Sequence, residues 1–172
     1  TGPGTLTLSG VNTYSGGTTL SAGTLIVDTS SLPGNVVDNA ALVFDQAVDG
    51  TYSGVISGVN GGLNKDGTGT LTISGNSANT YSGATTLTRG NVVFSKPAGV
   101  VAVTGNISMA TVGTNLWFTS NNQLSGTGIV SVTNVLVTTG ANTIDISSLG
   151  ASRSLIDGGN GNDVITAGAG ID

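Results

Sequence analysis

Residues 4–27 read GTLTLSGVNTYSGGTTLSAGTLIV, and residues 69–94 read GTLTISGNSANTYSGATTLTRGNVVF. The second stretch repeats the first, offset by 65 residues at Gly4/Gly69 and by 67 at Tyr14/Tyr81, because two residues are inserted after Gly75. The tetrapeptide TYSG occurs three times, at Thr13–Gly16, Thr51–Gly54 and Thr80–Gly83. A weaker echo, QLSGTGIVSVTNVLV, runs from Gln123 to Val137. Self-similarity of this kind marks a solenoid or an array, whose units bury their apolar faces only by stacking on one another.

Inside each copy the pattern has period two. Leu6 and Leu8 alternate with Thr5, Thr7 and Ser9, and Leu71 and Ile73 repeat the arrangement. Val101/Val103, Val130/Val132, Val135/Val137 and Ile144/Ile146 continue it. Each run is short and is closed by SG, GG, NG or AG, the pattern of half-buried strands between glycine-permitted turns. Short regular strands also build sandwiches and barrels. The recurrence of whole blocks favours a β-helix with coils of about 20–25 residues. Leu6, Leu8, Leu71, Ile73, Val130 and Val132 are then expected to point into one continuous core.

Composition agrees. Charged residues make up 8% of the 172 residues, there are 29 glycines, and Glu is absent. Such a chain has little helix support, whereas Val, Ile and Thr fit strands and Gly, Asn, Asp and Ser fit turns. All-β is the expected class. A net charge of −5, with Lys65, Arg89, Lys96 and Arg153 scattered, argues against a nucleic-acid partner, which needs clustered basic residues. No apolar run reaches the length of a spanning helix, and no signal peptide opens the chain. The start at Thr1 suggests a processed or excised segment. With no Cys there are no disulfides. Low charge suits a stack, because like charges on successive coils repel while Thr and Asn ladders hydrogen-bond.

The stretches GTLTLSGVNTYSGGTTLSAGTL and GVISGVNGGLNKDGTGTLTISG (Gly54–Gly75) closely resemble the autotransporter-associated β-strand repeat of secreted bacterial surface proteins. The resemblance covers roughly residues 4–27 and 50–94, with the degenerate echo reaching about 137. It implies a right-handed parallel β-helix displayed outside the cell, and no enzymatic residue, since the repeat is a scaffold unit.

A different motif lies at the other end. Gly158-Gly159-Asn160-Gly161-Asn162-Asp163-Val164-Ile165-Thr166 fits G-G-x-G-x-D-x-U-x, the nonapeptide of calcium-binding parallel β-rolls. Glycines permit a turn whose carbonyls point inward, Asp163 adds a carboxylate, and oxygen-only ligation of this kind selects Ca²⁺. Ala167–Asp172 begins a second copy, so the native chain is expected to continue past Asp172. The pattern resembles the RTX repeats of type I-secreted bacterial proteins. The resemblance implies Gly158, Gly159, Asn160, Gly161, Asp163 and Asp172 as the calcium-site residues. It also implies that turns sharing a calcium lie eighteen residues apart; eighteen before Asp163 is Asp145, so a complete site needs either that degenerate turn or residues beyond Asp172. The alternative is a plain Gly-Asn-Asp turn in which Asp163 bonds its own backbone.

Other candidates have simpler readings. Tyr14, Tyr52 and Tyr81 suit either a carbohydrate-stacking platform or, as expected, a column of like residues at a solenoid corner. Trp117-Phe118 suits an exposed recognition pair or, as expected, buried or subunit-packing aromatics. Asp38, Asp45 and Asp49 resemble an acidic cluster of β-helical polysaccharide-cleaving enzymes. They lack Glu, His and nearby cations to tune them, and are expected to be solvated turn carboxylates. Without His or Cys no nucleophile–base pair of the usual kind can form.

The expectation is therefore an all-β solenoid over residues 1–150, followed at 151–172 by the start of a calcium-binding roll. The expected function is a non-enzymatic, structural or adhesive segment, secreted to the bacterial cell surface. Calcium binding would couple its folding to export. The main alternative is a filament or surface-layer subunit that associates end to end along the solenoid axis; a polysaccharide-active enzyme is the weaker one. Contact with a cell surface or polysaccharide is a further expectation.

Overall fold

A computed structural model describes residues 2–109, 114–118, 130–131, 134–137, 143–146, 155–157 and 164–167. Its regular elements are all strands. The first six are β1 (Thr5–Thr7), β2 (Thr18–Leu20), β3 (Thr24–Val27), β4 (Val36–Asp38), β5 (Ala41–Asp45) and β6 (Gly50–Tyr52). Next come β7 (Ile56–Ser57), β8 (Gly62–Asp66), β9 (Thr70–Ile73), β10 (Thr85–Leu87), β11 (Asn91–Phe94) and β12 (Ile107–Met109). The remainder are β13 (Asn115–Phe118), β14 (Val130–Ser131), β15 (Asn134–Val137), β16 (Thr143–Ile146), β17 (Leu155–Asp157) and β18 (Val164–Ala167).

The strands stack as the faces of a β-solenoid, and every pairing is parallel. The first face is the seven-stranded sheet β1-β3-β5-β8-β10-β12-β14, and the second is β17-β15-β13-β11-β9-β6. A third face, β2-β4-β7, is carried on without regular strands. Thr80 donates its N–H to Ile56 O at 2.9 Å, and Asn79 donates its own to Val101 O at 2.9 Å. Coil length varies: Thr24 lies beside Ala41, a step of 17, and Asn91 beside Asn115, a step of 24. Turns absorb the difference while the strand registers stay fixed.

Alternation builds the core. β9 and β11 each read half-buried, buried, half-buried, buried, which sends Leu71 and Ile73 inward beside Val92 and Phe94. Leu42, Phe44, Leu63, Leu71, Ile73, Val92, Phe94 and Leu116 are fully buried in one apolar cluster. Burying each such side chain contributes about 1.5–3 kcal/mol. Leu8 packs against this cluster, but Leu6 is 54% exposed. It keeps register with buried Leu25, in the same column of the first face. Val130 starts β14, and Val132 lies outside the described residues.

The sequence repeat and the coil are out of phase. Thr5–Thr7 forms β1 on the first face, whereas its copy Thr70–Ile73 forms β9 on the second. Likewise Thr18–Leu20 lies on the third face and its copy Thr85–Leu87 on the first. Three coils from Thr5 lead through Thr24 and Ala41 to Gly62, 57 residues on, so the 65-residue offset overshoots by part of a coil. The copies share local structure and differ in their place around the axis.

Candidate functional site: the solenoid corners and surface

A solenoid coil turns three corners, and each corner exposes backbone groups that neither adjoining strand pairs. Here side chains from the neighbouring coil answer many of them. Asn79, fully buried, accepts the Ile56 N–H on Oδ1 at 3.0 Å and donates Nδ2 to Ala102 O at 2.9 Å, joining the coils on either side. Its copy Asn12 donates Nδ2 to Ser31 O at 2.8 Å. Asn35 accepts from Val55 N at 2.9 Å, Asn39 from Val59 N at 3.0 Å, and Asp49 from Thr70 N at 2.7 Å. A short amide or carboxylate at a turn reaches one coil rise, about 4.8 Å, which explains the Asn-rich corners.

Lys65 is the residue that sequence reasoning passed over. It appears there as one of four scattered cations, yet it is fully buried beside Phe44. Its Nζ donates to Asp66 O at 2.7 Å, Gly67 O at 2.8 Å and Arg89 O at 3.2 Å, closing the corner between the first and second faces on two successive coils. Burial pushes the ammonium below the usual lysine range, opposed by Asp66 and Asp45. Lys96 does the same farther along, donating to Ser74 O at 2.7 Å and Ser77 O at 2.9 Å. Lys65→Met keeps the stem and removes the donor from Gly67 O and Arg89 O, while Asp66 O keeps the Gln46 N–H at 2.9 Å, so we expect a loss of about 2–4 kcal/mol in urea unfolding.

Charge does stack at this corner, against expectation. Asp45 lies directly beside Asp66 in register. Arg89 resolves the conflict by forking onto Asp66, Nε to Oδ1 at 2.5 Å and Nη2 to Oδ2 at 3.1 Å, which holds that carboxyl below its usual range. Arg89 is exposed, so solvent screens the pair and it contributes little.

The three tyrosines do not form one column. Tyr14 and Tyr81 share a local bond, each phenol meeting the Thr hydroxyl four residues on, at 2.7 Å for Thr18 and 2.6 Å for Thr85. Tyr81 is fully buried, whereas Tyr14 is 37% exposed. Tyr52 has Ile56 where the others have Thr. It sits on the second face beside Ile73 and donates to Gly34 O at 2.7 Å. None of this makes a flat aromatic platform. Trp117 and Phe118 lie in β13, in backbone register with Val93 and Phe94.

Of the three acids, Asp49 is an exposed turn carboxylate as expected, and Asp45 is exposed but ends strand β5. Asp38 is not exposed. β4 reads buried, exposed, buried, so Val37 faces out and Asp38 takes the inward column beside Leu20. The acids therefore share no cleft. Among the described residues no group of three or more His, Cys, Asp or Glu comes together to hold a metal. Gly158, Gly159, Asn160, Gly161, Asp163 and Asp172 lie outside the described residues. The strands flanking them are described: β16 pairs with β18 at a step of 21, which sets Asp145 opposite Thr166.

At one end, β1 and β2 frame an open groove of about 400 Å³ lined by Leu6, Leu8, Leu20 and Leu25 with Thr5 and Thr24. All three residues of β1 are exposed.

Two segments of the chain, residues 1–27 and 63–93, match the family model described as Passenger-associated-transport-repeat. A stretch of 63 residues is 46% identical to the adhesin BmaC autotransporter of Brucella suis biovar 1 (strain 1330). It covers 34% of this chain and 2% of that relative, so the chain spans only a small part of the protein it matches. No solved structure matches the chain. Fold and similarity agree: the chain is a parallel β-solenoid, and its residues 1–27 and 63–93 are similar to passenger-associated transport repeats.

Proposed function

We propose that the chain is a length of bacterial β-solenoid carried outside the cell, serving as a structural or adhesive stalk and not as an enzyme. One observation carries this reading. The buried and bridging polar side chains (Asn79, Asn35, Asn39, Asp49, Lys65 and Lys96) each bond the backbone of an adjacent coil, Lys65 that of its own corner as well, and none of them converges on a cleft. The repeat match and the adhesin relative support the extracellular, passenger-type location. An epitope inserted at the exposed Val59-Asn60 turn of the full native protein should be labelled on intact cells. Labelling only after lysis would contradict the reading.

The nonapeptide Gly158–Thr166 supports a finer proposal, that calcium orders the end of the chain. The 21-residue step between β16 and β18 adds a condition. Asp145 lies within β16 opposite Thr166, so a turn other than the one eighteen residues back would complete the site. In the full native protein Asp163→Ala should remove a calcium-binding event from the calorimetric isotherm. Identical melts in calcium and in chelator would leave the motif a structural turn.

The low-charge, Thr- and Asn-rich repeats favour a second reading, end-to-end association along the solenoid axis, because coils of this kind stack on coils of the same kind. Light scattering of the native protein in millimolar calcium should then show concentration-dependent assembly, and a monodisperse monomer at high concentration would oppose it.

A further inference from the structure

Asp38 is an anomaly in this core. Its side chain is fully buried, and Oδ1 accepts the Ala40 N–H at 3.1 Å. Oδ2 is buried and has no hydrogen-bond partner. The turn of the next coil presses on it: a Cβ built at Gly61 would meet the Asp38 carboxyl carbon and Oδ2 at 2.2 Å each. An ionised carboxylate here would bear a charge with one weak donor and no water.

The elements around it offer no compensation. Packed against Asp38 are β2, with Thr18, Thr19 and Leu20, and β7 with its following turn, Ile56 to Gly61. With the residues of its own turn, Asn39 and Ala40, they contain no titratable or cationic side chain. Burial is the dominant influence and pushes the carboxyl above its usual range, while the Ala40 N–H opposes it weakly. The neutral acid fits this site better, because it removes the charge and has a proton to offer a neighbouring carbonyl.

We propose that Asp38 is a proton-binding joint between successive coils, so that the third face of the solenoid is held more tightly in acid than at neutral or alkaline pH. The sign follows from linkage. The folded state binds this proton more tightly than the unfolded chain does. The stabilisation is complete below the unfolded value of 3.8 and is lost as pH rises through the higher folded value. Asp28 and Asp66 act in the opposite sense, since hydrogen bonds from Ser30, Ser31 and Arg89 hold them below the usual range.

The test compares melting temperatures of the native protein and Asp38→Asn from pH 4 to pH 8. Asp28 and Asp66 are present in both, so the difference between the two profiles isolates Asp38. Asp38→Asn should gain on the native protein as pH rises, by at least about 2–4 °C across the range. A second readout needs no variant: the Asp38 carboxyl ¹³C resonance should titrate with a midpoint above the ordinary aspartate range. Parallel profiles, or a midpoint at or below 3.8, would overturn the proposal.

Discussion

Ile73→Asp is expected to unfold the solenoid. Ile73 is fully buried in β9 of the second face, stacked in register between Tyr52 below and Phe94 above. Both neighbours are themselves buried in the same apolar cluster. A carboxylate there would meet no donor and no cation, and an uncompensated buried charge costs about 3–5 kcal/mol before the lost isoleucine contacts are added. That approaches the whole stability of an ordinary domain. Because each coil rests on the next, the damage should spread along the stack. Circular dichroism of Ile73→Asp should show the strand signal lost or its melt lowered by tens of degrees. A melt within a few degrees of the native one would mean that Ile73 is not inward.

Gly58→Ala should be nearly as severe, for a steric reason. Gly58 has φ of +132°, a conformation that side-chain-bearing residues avoid. An added Cβ would lie 1.7 Å from the Asp38 carbonyl oxygen and 2.5 Å from its carbon, backbone atoms that no rotamer change can move. Shifting Gly58 away would break its own bond, for its carbonyl accepts the Ser82 N–H at 3.1 Å. Two coils are thus committed to a bare backbone at this corner. We expect a loss of roughly 3–5 kcal/mol by urea unfolding, against a change within about 0.5 kcal/mol for Gly16→Ala. Gly16 has nothing within 4 Å of its would-be Cβ.

These two residues were not equally legible in the sequence. Ile73 was: period-two alternation in GTLTISG assigns it to the core without any structure. The glycine at 58 reads only as one of many turn residues, because its close approach to Asp38 depends on where the coil below turns. The same limit hid Asp38. In VVD the hydrophobic Val37 faces out and the acid faces in, a reversal that no composition rule anticipates. Lys65 was hidden by its charge, which reads as surface although three carbonyls hold its ammonium inside. Local chemistry carried over well between repeats, as the matching Tyr–Thr bonds of Tyr14 and Tyr81 show. Position around the axis did not, because turns of variable length set it and repeat similarity says nothing about phase.

The central claim is that the faces are parallel stacks in the stated register, and one distance tests it. Thr7 and Ser108 stand in a single column of the first face, connected through Ile26, Val43, Asn64 and Thr86. The chain has no cysteine, so Thr7→Cys and Ser108→Cys introduce the only two thiols for spin labels. Five strand spacings separate the two positions, which gives a backbone distance of about 24 Å. Pulsed electron–electron resonance should return one narrow distribution near that value after allowance for the label arms. A broad distribution, or a mean more than about 10 Å away, would contradict the stack.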